Sequence, residues 1–333
     1  MFEQGKHCTK YTLVSTVFAM PTSAPPTIDP QAASRWQGLP TPASPWLHEE
    51  IAQRMQARLD YINVIPKRWL HWAPLLGGMQ AHRQLLRHYP GALALVWESS
   101  PQRAAQAAGA LSPPWWSPLR WRQGATKVQM DTQANAQMVW ANMGLHMDPA
   151  PEHTMARWHA ALEVGGFVMF SCLGPDTLKE LRAVYQRLGW PIPSHAYTDM
   201  HDLGDMLGVA GFAEPVMSME SITLTFASPQ RLLQELRGLG RNLHLDRFEG
   251  LRTPRWRDRL EEELARQLSS TAHDGQLALS FEIVFGHAFK PAAKLSLSSQ
   301  STVTLAQMRE SLADNRLRRS EKLGAAMPDN IDR

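Results

Sequence analysis

Between Gly165 and Arg182 the sequence GGFVMFSCLGPDTLKELR runs from a glycine pair through a short apolar segment and a polar turn into helical spacing. Phe167–Phe170 has the length and flanking turn signals of a buried strand, and Thr177–Leu188 has the period of a helix. A strand feeding a helix through a polar turn is the building unit of α/β sheets, whose ligands lie where strands end. Ser171–Asp176 therefore falls where a small-molecule site belongs.

The same alternation organises the rest of the chain. Apolar residues at Leu47, Ile51, Met55, Leu59 and Ile62 recur every three to four positions and predict a helix over Trp46–Ile62. Pro45 suits its start, and Glu49 and Glu50 suit its positive end. Strands are expected at Arg68–Trp72, Ala92–Trp97 and Gln137–Asn142, with a weak one near Leu119–Trp121. Helices are expected at Gly77–Tyr89, Ala104–Leu111, Glu152–Leu162 and Met200–Ala210, the last stopped by Gly211. Pro215–Met219 and Ile222–Phe226 read as two adjacent strands, Pro229–Leu239 and Pro254–Leu268 as helices, and Leu277–Ala288 as a final strand. This order predicts a mainly parallel sheet with helices on both faces. Residues 1–45 read as a flexible leader, in which 1–19 form an extension and Met20 is an alternative start. Residues 46–291 form the folded domain, and 292–333 a disordered or partly helical tail.

Composition excludes several classes. A formal net charge of +3 over 333 residues argues against a strong non-specific nucleic-acid binder. The two cysteines, Cys8 and Cys172, supply neither a disulfide framework nor a cysteine zinc site and suit a reducing cytoplasm. No apolar run reaches the length of a membrane span. The hydrolase elbow, the P-loop and the HExxH helix are missing from the sequence.

The candidate site residues come from strand ends. Gly77 and Gly78 open a helix whose amides could face a ligand. Glu98 ends the second strand, 21 residues beyond Gly77, near the spacing at which an acid meets a ribose diol. Asn142 closes a buried strand, and His146 follows it. His201, Asp202 and Asp205 lie at a helix start, where capping by Asp199 and Asp202 is the simpler account and a metal site lacks further ligands. Arg237, Arg241, Arg247, Arg252, Arg255, Arg257 and Arg259 crowd one stretch, fitting a solvated helix pair, an acidic docking partner or a substrate carboxylate. Trp115, Trp116 and Trp121 cluster with Arg120 and Arg122, a pattern of core filling, of a lid, or of base stacking.

The strings SPWLHEEIAQRMQARLDYI, VWANMGLHMDP, GGFVMFSCLGPDTLKELR, YTDMHDLGDMLGVAGFAEPVM and FEIVFGHAFKP follow one another in order. Together they resemble the malonyl-acyl-carrier-protein O-methyltransferases of biotin synthesis, over roughly Arg35 to Pro291. The resemblance implies a Rossmann-like class I methyltransferase fold: a doubly wound, seven-stranded sheet with a helical insertion near its C-terminal strands. It implies S-adenosylmethionine as cofactor, over the ends of the first, second and fourth strands. Gly77 and Gly78 then match the end of the glycine motif, Glu98 the ribose acid, and Asn142 with Met143 the loop near the methyl group. Ser171, Gly174, Pro175 and His201 are the acceptor-side candidates, and malonyl-loaded acyl carrier protein is the implied partner. The glycine motif departs from the family's acid-x-Gly-x-Gly-x-Gly: His71 stands for the acid, Ala73 and Leu75 for the first two glycines. An alternative expectation is therefore a non-catalytic or donor-impaired paralogue that still binds an acyl carrier.

Overall fold

The computed structural model describes residues 28–39, 43–111, 126–129, 131–269 and 273–292. Most of the expected leader, the tail beyond Ala292, the strand near Leu119–Trp121 and the Trp115, Trp116 and Trp121 cluster lie outside them.

Seven strands form one sheet: β1 Arg68–Trp72, β2 Leu93–Trp97, β3 Thr126–Gln129, β4 Ala136–Asn142, β5 Leu162–Leu173, β6 Ala213–Phe226 and β7 Leu277–Phe289. Their order is β3-β2-β1-β4-β5-β7-β6. The first five run parallel, and β7 pairs antiparallel with both β5 and β6. The helices are α1 Pro30–Gln37, α2 Trp46–Ala57, α3 Pro74–Gly77, α4 Met79–His88, α5 Pro101–Leu111, α6 Pro151–Ala161, α7 Lys179–Arg187, α8 Met200–Val209, α9 Pro229–Leu239 and α10 Pro254–Leu268. The last two form the helical insertion, between β6 and β7.

Alternation along the strands builds two cores. Trp69, Met138, Trp140, Phe167 and Met169 face Ile51 and Met55 of α2 and Leu85 of α4. Leu70, Val139, Val168 and Phe170 face Met155 and Trp158 of α6 and Leu203 and Leu207 of α8. Strands buried on both faces read as continuous apolar runs, which is why β1, β2 and β4 were legible.

Three expectations need correction. Residues 28–38 are not a flexible leader. Asp29 caps α1 by accepting from the Gln31 amide at 2.8 Å, pairs with Arg247 at 2.8 Å, and its own amide donates to the Leu243 carbonyl at 2.8 Å. Ala32 and Ala33 bury against Leu243 and Met147. Second, Pro215–Met219 and Ile222–Phe226 are one strand, β6, because β7 offers an unbroken antiparallel edge from Leu277 to His287. Third, β5 begins at Leu162, five residues earlier than the apolar run, with Gly165 at φ 82° where the register shifts.

The segment CLGPDT is clamped onto β7. The Gly174 amide donates to the Glu282 carbonyl at 2.9 Å, and the Asp176 amide to the Glu282 carboxylate at 2.9 Å. Thr177 Oγ1 donates to that carbonyl and accepts from the Glu282 amide, both at 3.1 Å. Two of the resembling strings, the third and the fifth in order, thus bind each other.

Gly286 on β7 sits under the Phe170 ring, and an added Cβ would also come within 2.8 Å of Met217 Sδ. Gly286→Ala should cost about 1–3 kcal/mol by overpacking, read as a lowered urea midpoint. The cost should shrink in a Phe170→Leu background, because part of the obstructing ring is gone. Equal cost in both backgrounds would place the strain elsewhere.

Candidate functional site

The connection from β1 to α4 is the expected glycine cradle, and here the chain satisfies it from within. Ala73 takes a left-handed conformation, φ 53°, and the single helical turn α3 replaces an open loop. The Leu75 amide donates to Glu98 Oε1 at 2.9 Å. The Leu76 and Gly77 amides donate to the Ala73 carbonyl, and the Gly78 amide to the Pro74 carbonyl. The Met79 amide reaches Ser44 Oγ at 3.4 Å, and the Gln80 and Ala81 amides donate to the Glu49 carboxylate at 3.0 Å each. Every amide from Leu75 to Ala81 therefore has an internal acceptor. Glu49 supplies the negative charge that the N-terminus of α4 favours, rather than serving its own helix as the sequence suggested. Gly77 and Gly78 present no free N–H, although both need to be glycine. A Cβ on Gly77 would meet the Asn142 carbonyl oxygen at 2.8 Å, and Gly78 sits at φ 131°.

Under this turn, His71 and His82 are buried and their Nδ1 atoms lie 3.1 Å apart. Burial holds both below the ordinary histidine range, His82 at about 3. A neutral pair joined by one hydrogen bond thus stands where the resemblance implies a carboxylate.

Asn142 joins three elements. Its Nδ2 donates to the His48 carbonyl at 2.7 Å and also to the Gly77 carbonyl, and its Oδ1 accepts from Ser171 Oγ at 2.6 Å. The Met143 amide donates to the Ser171 carbonyl and to Ser171 Oγ, with Met143 at φ 53°. His48 Nδ1 lies 2.8 Å from the Leu76 carbonyl. Gly77, Asn142, Met143 and Ser171, named for two different ligands from sequence, are therefore one buried hydrogen-bonded unit.

A cavity of about 550 Å³ opens beyond the ends of β1, β2 and β4. Trp72 and Trp97, register partners on neighbouring strands, stack in its wall with centroids 3.9 Å apart. The Arg157 guanidinium covers both rings at 4.6 and 4.4 Å. Ser99 and Arg103 also line it. Glu98 lies behind them, fully buried, and burial pushes its carboxyl up to about 7 against the pull of the Leu75 amide and the Arg103 charge. Glu98 Oε2, Ser99 Oγ and Arg103 Nε are buried without a hydrogen-bond partner among the described residues.

A second cavity, of about 300 Å³, lies on the other side of the Leu145–Met147 turn, and Met147 lines both. Leu173, Leu178, Leu181, Leu233, Leu236 and Phe281 form its apolar wall. The remaining acceptor-side candidates do not converge on it. Gly174 lies against Glu282, the Pro175 carbonyl accepts from Arg182 at 2.6 Å, and His201 is exposed beside its cap Asp199 at the start of α8.

Strand order 3-2-1-4-5-7-6 with an antiparallel β7, and a cavity over β1, β2 and β4, define a class I methyltransferase architecture. Among curated proteins, the malonyl-[acyl-carrier protein] O-methyltransferase of Gallionella capsiferriformans is 36% identical over 264 residues, spanning 76% of this chain and 87% of that protein. Those of Laribacter hongkongensis and Nitrosospira multiformis are 32% and 31% identical, spanning 74% and 77% of this chain and 84% and 86% of theirs. The chain belongs to the malonyl-[acyl-carrier protein] O-methyltransferase family. No protein-family model matches it. Among solved structures, the N-methyltransferase NodS of Bradyrhizobium japonicum, in complex with S-adenosyl-L-homocysteine, overlays at TM-score 0.40 and 12% identity, covering 79% of this chain and 98% of that one.

Sequence reasoning missed Glu49 as the cap of α4, and Ser99, Arg103 and Arg157 as cavity residues. Trp72 and Trp97 were findable, since both are the last residue of a predicted strand, one on each of two neighbouring strands.

Glu98 gives a pH test. Its carboxyl titrates higher folded than unfolded, so the folded state holds the extra proton and stability falls as pH rises from about 4.5 through about 7. Glu98→Gln keeps an acceptor for the Leu75 amide without the buried charge. It should match wild type at pH 5 and exceed it by about 1–3 kcal/mol at pH 8, measured by urea denaturation. A pH-independent difference would mean that Glu98 does not titrate in this window.

Proposed function

We propose that this protein transfers a methyl group from S-adenosylmethionine to the free carboxylate of a malonyl-acyl-carrier-protein thioester, in cytoplasmic biotin synthesis. The observation that carries the reading is the 36% identity to a curated family member over most of both chains. No helix among the described residues is long and apolar enough to cross a membrane, and the net charge of +3 gives no reason to invoke nucleic acid.

The larger cavity fits the nucleoside end of the donor. Glu98 keeps one oxygen unpartnered among the described residues for a ribose hydroxyl, next in the chain to Ser99, which lines the cavity with Trp72 and Trp97. The amino-acid end fits poorly, because no amide from Leu75 to Ala81 is free for it. When bound, the sulfonium donor supplies an electrophilic methyl group, whose S–C bond pair returns to sulfur as a carboxylate oxygen takes the carbon.

The acceptor carboxylate is ionised at neutral pH, so no general base is required. The protein's part is alignment and exclusion of water. Asn142, held by three hydrogen bonds, fixes the distance between the turn and β5. Trp72, Trp97 and Trp158 make the wall apolar, with Trp158 edge-on to Trp72 at 6.0 Å.

The self-satisfied turn favours a second reading, a paralogue that binds the acyl carrier but has weak donor affinity. Calorimetry with S-adenosylmethionine separates the two. Binding at micromolar to low-millimolar donor, together with a malonyl methyl ester product, supports the enzyme. A folded protein that shows no heat at millimolar donor sinks it. Leu75→Gly should raise donor affinity several-fold if the turn is the barrier; unchanged affinity would exonerate the turn.

A further inference from the structure

The smaller cavity has chemistry that its neighbours do not use. Two buried polar atoms in its wall have no hydrogen-bond partner among the described residues: His146 Nδ1 and Ser194 Oγ, in residues 8% and 5% exposed. Both belong to segments fixed by other bonds. The His146 carbonyl is bound by His195 Nε2 at 2.8 Å, and the His146 ring packs edge-on against Tyr197 at 5.9 Å. Burial keeps the His146 imidazole neutral, well below its ordinary value. An imidazole in the Nδ1–H tautomer and a hydroxyl are two neutral donors in a chamber whose wall is mainly apolar. Unsatisfied donors at this depth are costly unless a ligand meets them.

Arg237 and Arg241 line the same cavity from the exposed end of α9 and the loop beyond it. Neither is paired with a carboxylate among the described residues; Arg241 instead donates to the carbonyls of Arg237 and Gly240. Two adjacent guanidinium groups without a counter-ion form an anion site, and their planar forks suit a phosphate. The chamber therefore combines two unpaired cations, a largely apolar wall and two neutral donors. Met147 places its wall against the larger cavity.

We infer that this cavity is the acceptor chamber, taking a malonyl thioester whose phosphopantetheine phosphate rests on Arg237 and Arg241 and whose free carboxylate meets His146 and Ser194 beside Met147. The inference rests on the methyl-transfer reading for the identity of the acyl group. The division of labour follows from the chemistry. A carboxylate nucleophile loses charge in the transition state, so a paired arginine would stabilise the ground state more. Neutral donors orient it without a full counter-charge that would favour the ionised ground state. The cations belong at the other end of the substrate, where charge does not change.

Binding is measured by calorimetry without donor, using malonyl-phosphopantetheine and the phosphate-free malonyl-pantetheine. The wild type should bind the phosphorylated thioester more tightly. Arg237→Ala/Arg241→Ala should weaken it at least tenfold and leave malonyl-pantetheine unchanged. Ser194→Ala should weaken both thioesters to a similar, several-fold extent. Leu236→Trp, filling the chamber, should abolish binding of both, with folding checked by an unchanged far-ultraviolet circular dichroism spectrum and urea midpoint or, failing that, by the smaller Leu236→Phe. Wild-type protein that binds neither thioester, an arginine variant that weakens both equally, or full binding by a folded Leu236→Trp each overturns the assignment. If the expected pattern appears but no methyl ester forms with donor added, the chamber stands and the methyl-transfer reading falls.

Discussion

The carboxamide of Asn142 is the join on which the site depends. A primary amide offers two donors and one acceptor oxygen at fixed angles. Here the donors go to α2 and the turn after β1, and the acceptor meets β5. The group is 2% exposed, so water cannot replace a lost partner. Removing the carboxamide would leave the Gly77 carbonyl and the Ser171 hydroxyl without the partner it supplies, each costing about 1–3 kcal/mol when buried. Three segments far apart in sequence are thus held in one geometry by one side chain, and both cavities are bounded by what it holds.

Much of the fold could be read from the chain because its strands are covered on both faces and its helices are punctuated. β1 and α9 begin and end where the sequence indicated. The failures share a cause. α1 is short and Ala-rich, and its order comes from Asp29 meeting Arg247, a partner far along the chain. β6 is half exposed and interrupted by polar residues, so only its pairing with β7 shows it to be continuous. β3 is a four-residue strand with no fully buried position, so its periodicity carries little signal.

The site divides along the same line. Of the residues that strand ends select, Gly77, Asn142 and Ser171 cluster, and Glu98 meets the same turn through Leu75. What the sequence does not show is what each one bonds. Glu98 meets Leu75, and Glu49 meets Gln80 and Ala81, across separations that no local pattern encodes. The substitutions that looked like simple losses, His71 and Leu75, come with compensating partners. His82 matches His71 in ring and protonation state, while Leu75 buries against Val96 and Ala107.

The left-handed Ala73 and the turn it starts also have a thermodynamic meaning. A loop that satisfies its own amides is a populated, low-energy state competing with any ligand that needs those amides. The apparent dissociation constant is then the intrinsic one divided by the fraction of molecules with the turn open. Each 1.4 kcal/mol by which internal bonds favour the closed turn lowers that fraction tenfold. Affinity at this end of the sheet is therefore set by the equilibrium of a single helical turn as much as by the contacts a ligand makes, and a change in that equilibrium would alter affinity without touching the cavity wall.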